Sequence, residues 1–330
     1  MNPGDTFTTR GRRGGGVTVL LTGATGFLGT IVAARLPAPP LCLVRGPDAQ
    51  ARLPEARVLQ ADLLACIPPL PHDVRTIVHC AADVAFDRPL EDARAINFEG
   101  TRRLLAAAAE LPALERFVHV STAYVAGISD PARPDVFGED DLDVGQRFRN
   151  TYEQTKFEAE RLVRASGLPV TVVRPSIVVG DSATGWTNSF NVLYAPLRAL
   201  ARGLVDEIPA DSNALVDVVP VDHVADVVLA AMKTEGTLHA VAGDAAPTAG
   251  ELAALAAGLL GRPAPRFAPE VEPPGGLEVY APYFTVRTRF DARRTRSLGL
   301  APPPLADYLP RVLDFAERAR WGKRPLPLAA

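Results

Sequence analysis

The sequence predicts an α/β fold: a Rossmann-type doubly wound parallel sheet with a smaller C-terminal substrate lobe. Three observations carry this. Short apolar runs alternate with longer helical patterns through the first half of the chain. The runs lack strict alternation, as strands covered on both faces do. A glycine-rich turn, VLLTGATGFLG, joins the first run to the first helical pattern.

The elements follow in order. Residues 17–22 form the first strand, which stops at Gly23. Residues 26–36 form a helix that ends at Pro37, because proline cannot continue one. Strands follow over residues 41–45, 57–60 and 76–81, then a long helix over 96–110 and a strand over 117–121. A helix over 151–165 leads to a strand over 170–174. Beyond about residue 175 the pattern loosens. Helices are predicted over 188–203, 221–233, 250–260 and 305–318, with a proline-rich loop over 263–282. The expected division is a disordered tail over 1–16, rich in Gly, Arg and Thr, and a nucleotide-binding core over 17–180. A substrate lobe over 181–330 is interleaved with the last core strands and helices.

Composition narrows the function. A chain of 330 residues, 47% of them hydrophobic, can bury a substantial core. A formal net charge of −3 gives no footprint for nucleic acid or an anionic membrane. Cys42, Cys66 and Cys80 are too sparse for a disulfide framework and read as reduced thiols of a cytoplasmic protein. No His or Cys cluster has metal-ligand spacing, so no metal is expected. No secretory signal or membrane span is expected either. The most apolar stretch, residues 17–36, contains Gly23, Gly26, Gly29 and the charge of Arg35.

The glycine spacing carries the first chemistry. One glycine makes a tight turn, one lets the backbone approach a pyrophosphate, and one lets helix and strand pack closely. The helix N-terminus then offers free N–H groups to phosphate. The second strand ends in Arg45, which suits the 2′-phosphate of NADP, whereas an acidic residue would suit the ribose hydroxyl of NAD. NADPH is therefore expected ahead of NADH. Asp48 is the rival candidate at this position, and Arg52 a possible assistant. Asp62 either contacts adenine or caps a helix.

Tyr152 and Lys156 lie four residues apart on a predicted helix, hence on one face. A nearby ammonium favours the phenolate, which would make the tyrosine a proton donor or acceptor near neutral pH. The lysine can also bind a ribose. Ser121 and Thr122 fall at the C-terminal end of a strand, the edge where such sheets bind ligands. A hydroxyl there can orient a carbonyl oxygen.

With these parts in order, the chain resembles an extended short-chain dehydrogenase/reductase from residue 17 to at least Lys233. The likeness rests on TGATGFLG, HCAADVAF, NFEGTRRLL, VSTAYVAG, YEQTK, RPSIVVGDSATGWTNSFN and VPVDHVAD. It is most similar to the thioester-reductase and fatty-acyl-CoA-reductase branch, through LVR after the second strand, FGEDDLDVGQRFRNTYEQTKFEAERLV and RPSIVVGDSATG. Members of that branch use NADPH to reduce an acyl thioester to an aldehyde, and some go on to the alcohol. The resemblance implies Thr122, Tyr152 and Lys156 as the catalytic set, with Ser121 in support. It implies Gly23, Thr25, Gly26, Phe27, Leu28, Gly29 and Arg45 at the cofactor. Asp62, Leu63, Ala81, Ala82, Asn97, Tyr152, Lys156, Pro175, Ser176 and Ile177 complete that set.

Several roles stay open. Asn97 either holds a proton-relay water or caps its helix. The segment Arg174-Pro175-Ser176 either brings backbone to the nicotinamide amide or simply ends a strand. Asp222 reads as an N-cap rather than a catalytic acid, and His79 and His119 as packed core histidines. Apolar residues over 186–204 line an acyl channel or pack the lobe. Neither an adenylation or carrier-protein domain nor the C-terminal extension of many fatty-acyl reductases is recognisable. Three functions follow: reduction of an acyl thioester on CoA or a carrier protein; dehydrogenase, reductase or epimerase chemistry on a hydroxyl or keto group of a sugar nucleotide, steroid or secondary metabolite; or a non-catalytic NADP sensor. A homodimer is compatible with each.

Overall fold

The structure is a computed structural model that describes residues 18–46, 48–53, 56–128, 130, 135–190, 192–271, 278 and 280–328. The expected tail over 1–16 lies outside the described residues, as do parts of the expected loop over 263–282.

The chain begins with β1 (Thr18–Thr22), α1 (Phe27–Arg35), β2 (Leu41–Val44), the short α2 (Ala49–Arg52) and β3 (Arg57–Gln60). It then crosses to β4 (Val74–His79) on the other side of β1. Next come α3 (Leu90–Arg94), a π-helical stretch (Ala95–Glu99), α4 (Gly100–Ala109) and β5 (Arg116–Val120). A two-residue β6 (Val136–Phe137), α5 (Thr151–Arg164), β7 (Val170–Pro175) and β8 (Ile177–Val179) follow. The remainder is α6 (Tyr194–Ala201), β9 (Glu207–Ile208), β10 (Val218–Pro220), α7 (Val221–Ala231), β11 (Gly236–Ala240), α8 (Ala249–Leu259), β12 (Arg266–Phe267), β13 (Arg289–Phe290), α9 (Arg293–Ser297) and α10 (Leu305–Arg318).

The main sheet has the order β11-β7-β5-β4-β1-β2-β3 and every pairing in it is parallel. This is the doubly wound fold the sequence predicts. The strands are apolar on both faces because helices cover both. Leu21, Val78, Val118 and Val173 face one layer with Val224, Val227 and Val228 of α7 and Ile31 of α1. Leu20, Ile77, Phe117 and Val172 face the other with Leu104, Leu105 and Val163. The strand order reverses between β1 and β4, so their C-terminal ends open a crevice there. A third apolar cluster joins α6, α8 and α10 to Tyr124, Phe157 and Tyr283.

Some expectations change. The edge strand β11 is additional, and so are the parallel pairs β8–β10, β9–β12 and β6–β13 outside the main sheet. The helix expected over 188–203 is confined to α6. Before it, Thr187 and Ser189 bond within a loop and Val192 has a φ of 39°, so no helix can run through. The helix expected over 96–110 begins earlier, at Leu90, and passes through the π-helical stretch. Part of the expected loop over 263–282 pairs as β12.

Candidate functional site

The glycine turn packs to the limit of what a side chain would permit. Gly23 has a φ of 74°, and a Cβ there would lie 2.7 Å from the Ala81 nitrogen. A Cβ on Gly29 would lie 2.0 Å from the Gly23 oxygen. Gly26 is the N-cap of α1, with no side-chain cap on that helix end. The free amides of α1 therefore face the crevice.

Two clefts share this turn. The first, of about 370 Å³, is walled by Gly23, Thr25, Gly26, Arg45, Arg52, Asp62, Leu63, Ala81 and Ala82. Arg52 donates to the Arg45 carbonyl (3.3 Å) and to Thr25 Oγ1 (3.0 Å), which fixes it beside the turn. Asp48 is exposed and is not in the wall. Asp62 caps no helix: its Oδ1 accepts from the Leu64 amide (2.9 Å) in a turn after β3. The second cleft, of about 490 Å³, is walled by Phe27, Leu28, Gly29, Ser121, Thr122, Tyr152, Lys156, Pro175, Ser176 and Ile177. Asn97 enters neither wall and caps no helix. It is buried within the π-helical stretch, where Oδ1 accepts from the Asp83 amide (2.8 Å) and Nδ2 donates to the Asp83 carbonyl (2.9 Å) and Thr155 Oγ1 (3.0 Å). It thereby ties the loop after β4 to the helix that carries Tyr152.

That helix, α5, starts where Asn150 Oδ1 accepts from the Glu153 amide (2.9 Å). Tyr152 and Lys156 both project into the second cleft. Burial pushes the Tyr152 phenol up to about 12, and a hydrogen bond with Thr122 pulls the other way. Burial lowers Lys156 to about 8, against the opposing charges of Glu160 and Cys80. Its Nζ donates to the Val120 carbonyl (2.7 Å) and lies 3.4 Å from His119 Nε2. The expected action of Lys156 on the tyrosine is therefore corrected: the ammonium turns to the end of β5, and the phenol is governed by burial and Thr122. Ser121 is corrected too. Its Oγ donates to the buried Glu160 Oε2 (2.7 Å), so its proton is committed below the cleft. Thr122 Oγ1 sits 3.4 Å from the Pro175 carbonyl.

Asp222 is not the N-cap of α7; Pro220 is, and the carboxylate accepts from the Ser182 amide (2.8 Å) and hydroxyl (2.6 Å). His79 is packed between Thr22 (2.8 Å) and Thr101 (2.9 Å), and burial lowers it to about 3. His119 is fully buried beside it, with ring centroids 5.5 Å apart.

Two features were not read from the sequence. Phe86 lies against the Tyr152 ring (5.7 Å between centroids) and stacks on Tyr283 (5.0 Å). Glu160 forms a buried ion pair with Arg174 (2.7 Å) directly beneath Ser121. Both depend on contacts between residues far apart in the chain. The spacing Tyr152, Lys156, Glu160 was the available signal for the second, since it continues one helix face.

Among the described residues no helix is long and apolar enough to cross a membrane, and no group of His, Cys, Asp or Glu could hold a metal ion.

An NAD-binding family model described as "Male sterility protein" matches residues 69–228. Fatty acyl-CoA reductase 1 of Homo sapiens is 37% identical over 182 residues, which are 47% of this chain and 35% of that protein. Fatty acyl-CoA reductase 2 of Homo sapiens is 30% identical over 286 residues, covering 66% of this chain and 54% of that protein. The chain thus spans about a third to a half of the length of the curated relatives it matches. Among solved structures, the terminal R domain from the myxalamid PKS-NRPS biosynthetic pathway superposes with a TM-score of 0.77 at 25% identity, covering 94% of this chain and 92% of that one. MoeE5 in complex with UDP-glucose and NAD superposes with a TM-score of 0.68 at 26% identity, covering 92% and 99%.

Proposed function

Since this chain is an extended short-chain dehydrogenase/reductase of the fatty acyl-CoA reductase branch, we propose that it transfers hydride from NADPH to the carbonyl carbon of an acyl thioester. The observation that carries the reading is the meeting of Thr122, Tyr152 and Lys156 in a cleft that the glycine turn also walls.

The residues fit a dinucleotide. The crowding at Gly23 and Gly29 leaves backbone, not side chains, beside the open end of α1, as a pyrophosphate requires. Arg45 and Arg52 share the wall of the first cleft, where a 2′-phosphate would meet two guanidinium groups. Bound NADPH supplies the hydride. Lys156, as the ammonium, holds the ribose hydroxyls. Thr122 orients the carbonyl oxygen, and Tyr152 donates a proton to that oxygen as it gains charge. The resulting hemithioacetal returns its O–H proton to the Tyr152 phenolate as its C–S bond breaks, the departing thiolate takes a proton from solvent, and aldehyde and thiol leave.

The test is NADPH oxidation, followed by absorbance, against acyl-CoA thioesters, with NADH in parallel. Turnover of ketones or sugar nucleotides with none of thioesters would overturn the reading. Arg45→Ala is expected to weaken NADPH by about tenfold to a hundredfold, the worth of a charge-assisted contact, and to leave NADH unchanged. Equal losses for both cofactors would remove Arg45 from the 2′-phosphate.

The pH dependence has a definite sign. Lys156 is charged below about 8 and neutral above it. The ribose-holding form is the charged one, so kcat/KM is full below that pH and falls as pH rises through it. Tyr152, at about 12, stays protonated across the same range and adds no limb. A pH–rate profile checks this: the Lys156→Arg variant, however slow, should lack the alkaline fall.

A further inference from the structure

A buried imidazole that the mechanism has not used stands beneath Lys156. His119, on β5, is fully buried and walls neither cleft. Its Nε2 lies 3.4 Å from Lys156 Nζ, and its Nδ1 has no partner. A buried ring nitrogen left unpaired is a cost that an apolar side chain at this position would not carry. Among the described residues, Lys156 is the one hydrogen-bonding partner this ring has.

The surroundings fix the charge and the tautomer. Burial and the charge of Lys156 hold the imidazole well below its ordinary range, so it is neutral at neutral pH. A neutral imidazole has one N–H and one lone pair, and an ammonium only donates. The lone pair therefore sits on Nε2, toward Lys156, and the proton on Nδ1. The neighbouring ring of His79, 5.5 Å away between centroids, is committed elsewhere. Thr101 Oγ1 donates to the Asn97 carbonyl (2.7 Å) and so accepts from His79 Nε2 (2.9 Å), while His79 Nδ1 accepts from Thr22 Oγ1 (2.8 Å).

We propose that His119 is a positioning residue for Lys156. Its Nε2 lone pair takes one N–H of the ammonium, the Val120 carbonyl takes a second at 2.7 Å, and the third is left for the cleft that Lys156 lines. The proposal rests on the reading above, in which that third N–H meets the ribose. The contact also favours the charged form of the lysine. Around it, Glu160 on the same helix is held below its ordinary value, His79 on β4 is lowered to about 3, and Cys80 after β4 and the Tyr152 phenol are pushed up to about 12. None of these titrates near 8, where Lys156 does. Without the lone pair, burial lowers Lys156 further, and the alkaline fall moves to lower pH.

The test measures NADPH binding to the full chain by fluorescence across neutral and alkaline pH, with kcat/KM for octanoyl-CoA in parallel. His119→Leu fills the space without a lone pair, whereas the carbonyl of His119→Gln reaches toward the place of Nε2. The leucine variant is expected to bind NADPH about tenfold more weakly, as for the loss of one hydrogen bond to a charged group, with its alkaline fall about one pH unit lower. The glutamine variant should recover most of both. A leucine variant with the parent affinity and the parent alkaline fall would reduce His119 to packing, as would equal losses in the two variants with an unmoved fall. If the leucine variant does not fold, nitrogen NMR of the histidines in the unaltered chain decides, with the His119 signal assigned by its loss in His119→Gln. A proton on Nδ1 is expected there; a proton on Nε2 overturns the proposal. If binding shows the shift and no thioester is turned over, the thioester reading falls and the role of His119 stands. Failure to bind NADPH at any pH overturns both.

Discussion

Replacing Tyr152 by Phe is expected to lower kcat/KM for carbonyl reduction by about 10²–10⁴, the span typical of losing a positioned general acid. The change removes one hydroxyl and little else. The ring remains to pack on Phe86, so the wall of the cleft stays in place. What disappears is the proton at the carbonyl oxygen and the bond to Thr122. Burial matters to the direction of the chemistry. A phenol held at about 12 is protonated throughout the physiological range, which is the form a donor must have. An alkoxide is a stronger base than a phenolate, so transfer to it runs downhill even from this raised value. Affinity for NADPH, read by fluorescence, should be unchanged, because the residue assigned to the ribose is Lys156. A variant with the parent rate would remove Tyr152 from the chemistry. A variant that also fails to bind NADPH would show that the phenol acts through the cofactor.

Much of this was legible in the sequence, and what was not has identifiable causes. The strands flanking the crevice carry short apolar runs, Val19–Leu21 in β1 and Ile77–Val78 in β4, without strict alternation, and covering both faces leaves such runs no alternative fate. The edge strand β11 escaped because GTLHA is short, polar at two positions and preceded by no turn motif beyond a single glycine. The helix expected over 188–203 failed because apolar content alone does not set a period; the loop bonds of Thr187 and Ser189 decide the backbone there. Thr122, Tyr152 and Lys156 could be singled out in the sequence, and they line one cleft, because their spacing and strand-end position are local properties. The partner of Lys156 was misjudged because four-residue spacing places two side chains on one face without fixing where a long side chain ends. Its ammonium turned to the carbonyl of Val120, a group no sequence pattern marks. Asn97 and Ser121 were misjudged for the same reason: Asp83, Thr155 and Glu160, which occupy their hydrogen bonds, lie elsewhere in the chain.

Glu160 and Arg174 lead to the second large effect. A charge in the middle of the apolar run VTVVRP demands a partner, since an isolated buried ion is far too costly. Both side chains are fully buried. Arg174 donates to Glu160 through Nε (3.0 Å) and Nη2 (2.7 Å), and also to the Asp141 carbonyl (2.6 Å), while its guanidinium lies 5.0 Å from the Phe137 ring centroid. Burial alone would push the Glu160 carboxyl up; the charge and hydrogen bonds of Arg174, with Arg164 and Ser121, more than reverse this and hold it below its ordinary value. Arg174→Met is therefore expected to cost about 3–5 kcal/mol of stability at neutral pH, measured by urea unfolding, because it leaves Glu160 buried with only part of its compensation. The sign with pH follows. A carboxyl depressed in the folded state stabilises above its unfolded pKa, and that stabilisation is lost as pH falls through the folded value. The gap between parent and Arg174→Met should thus be widest near neutrality and narrow on acidification. Arg174→Met combined with Glu160→Gln should recover part of the loss, since it removes the stranded charge as well as its partner. Losses that simply add would mean that the two side chains do not depend on one another. Ser121 gives the pair a catalytic consequence. Its hydroxyl is fixed by Glu160 one residue before Thr122, so the double variant, even where it folds, should position Thr122 less well and turn over more slowly than its stability alone would require.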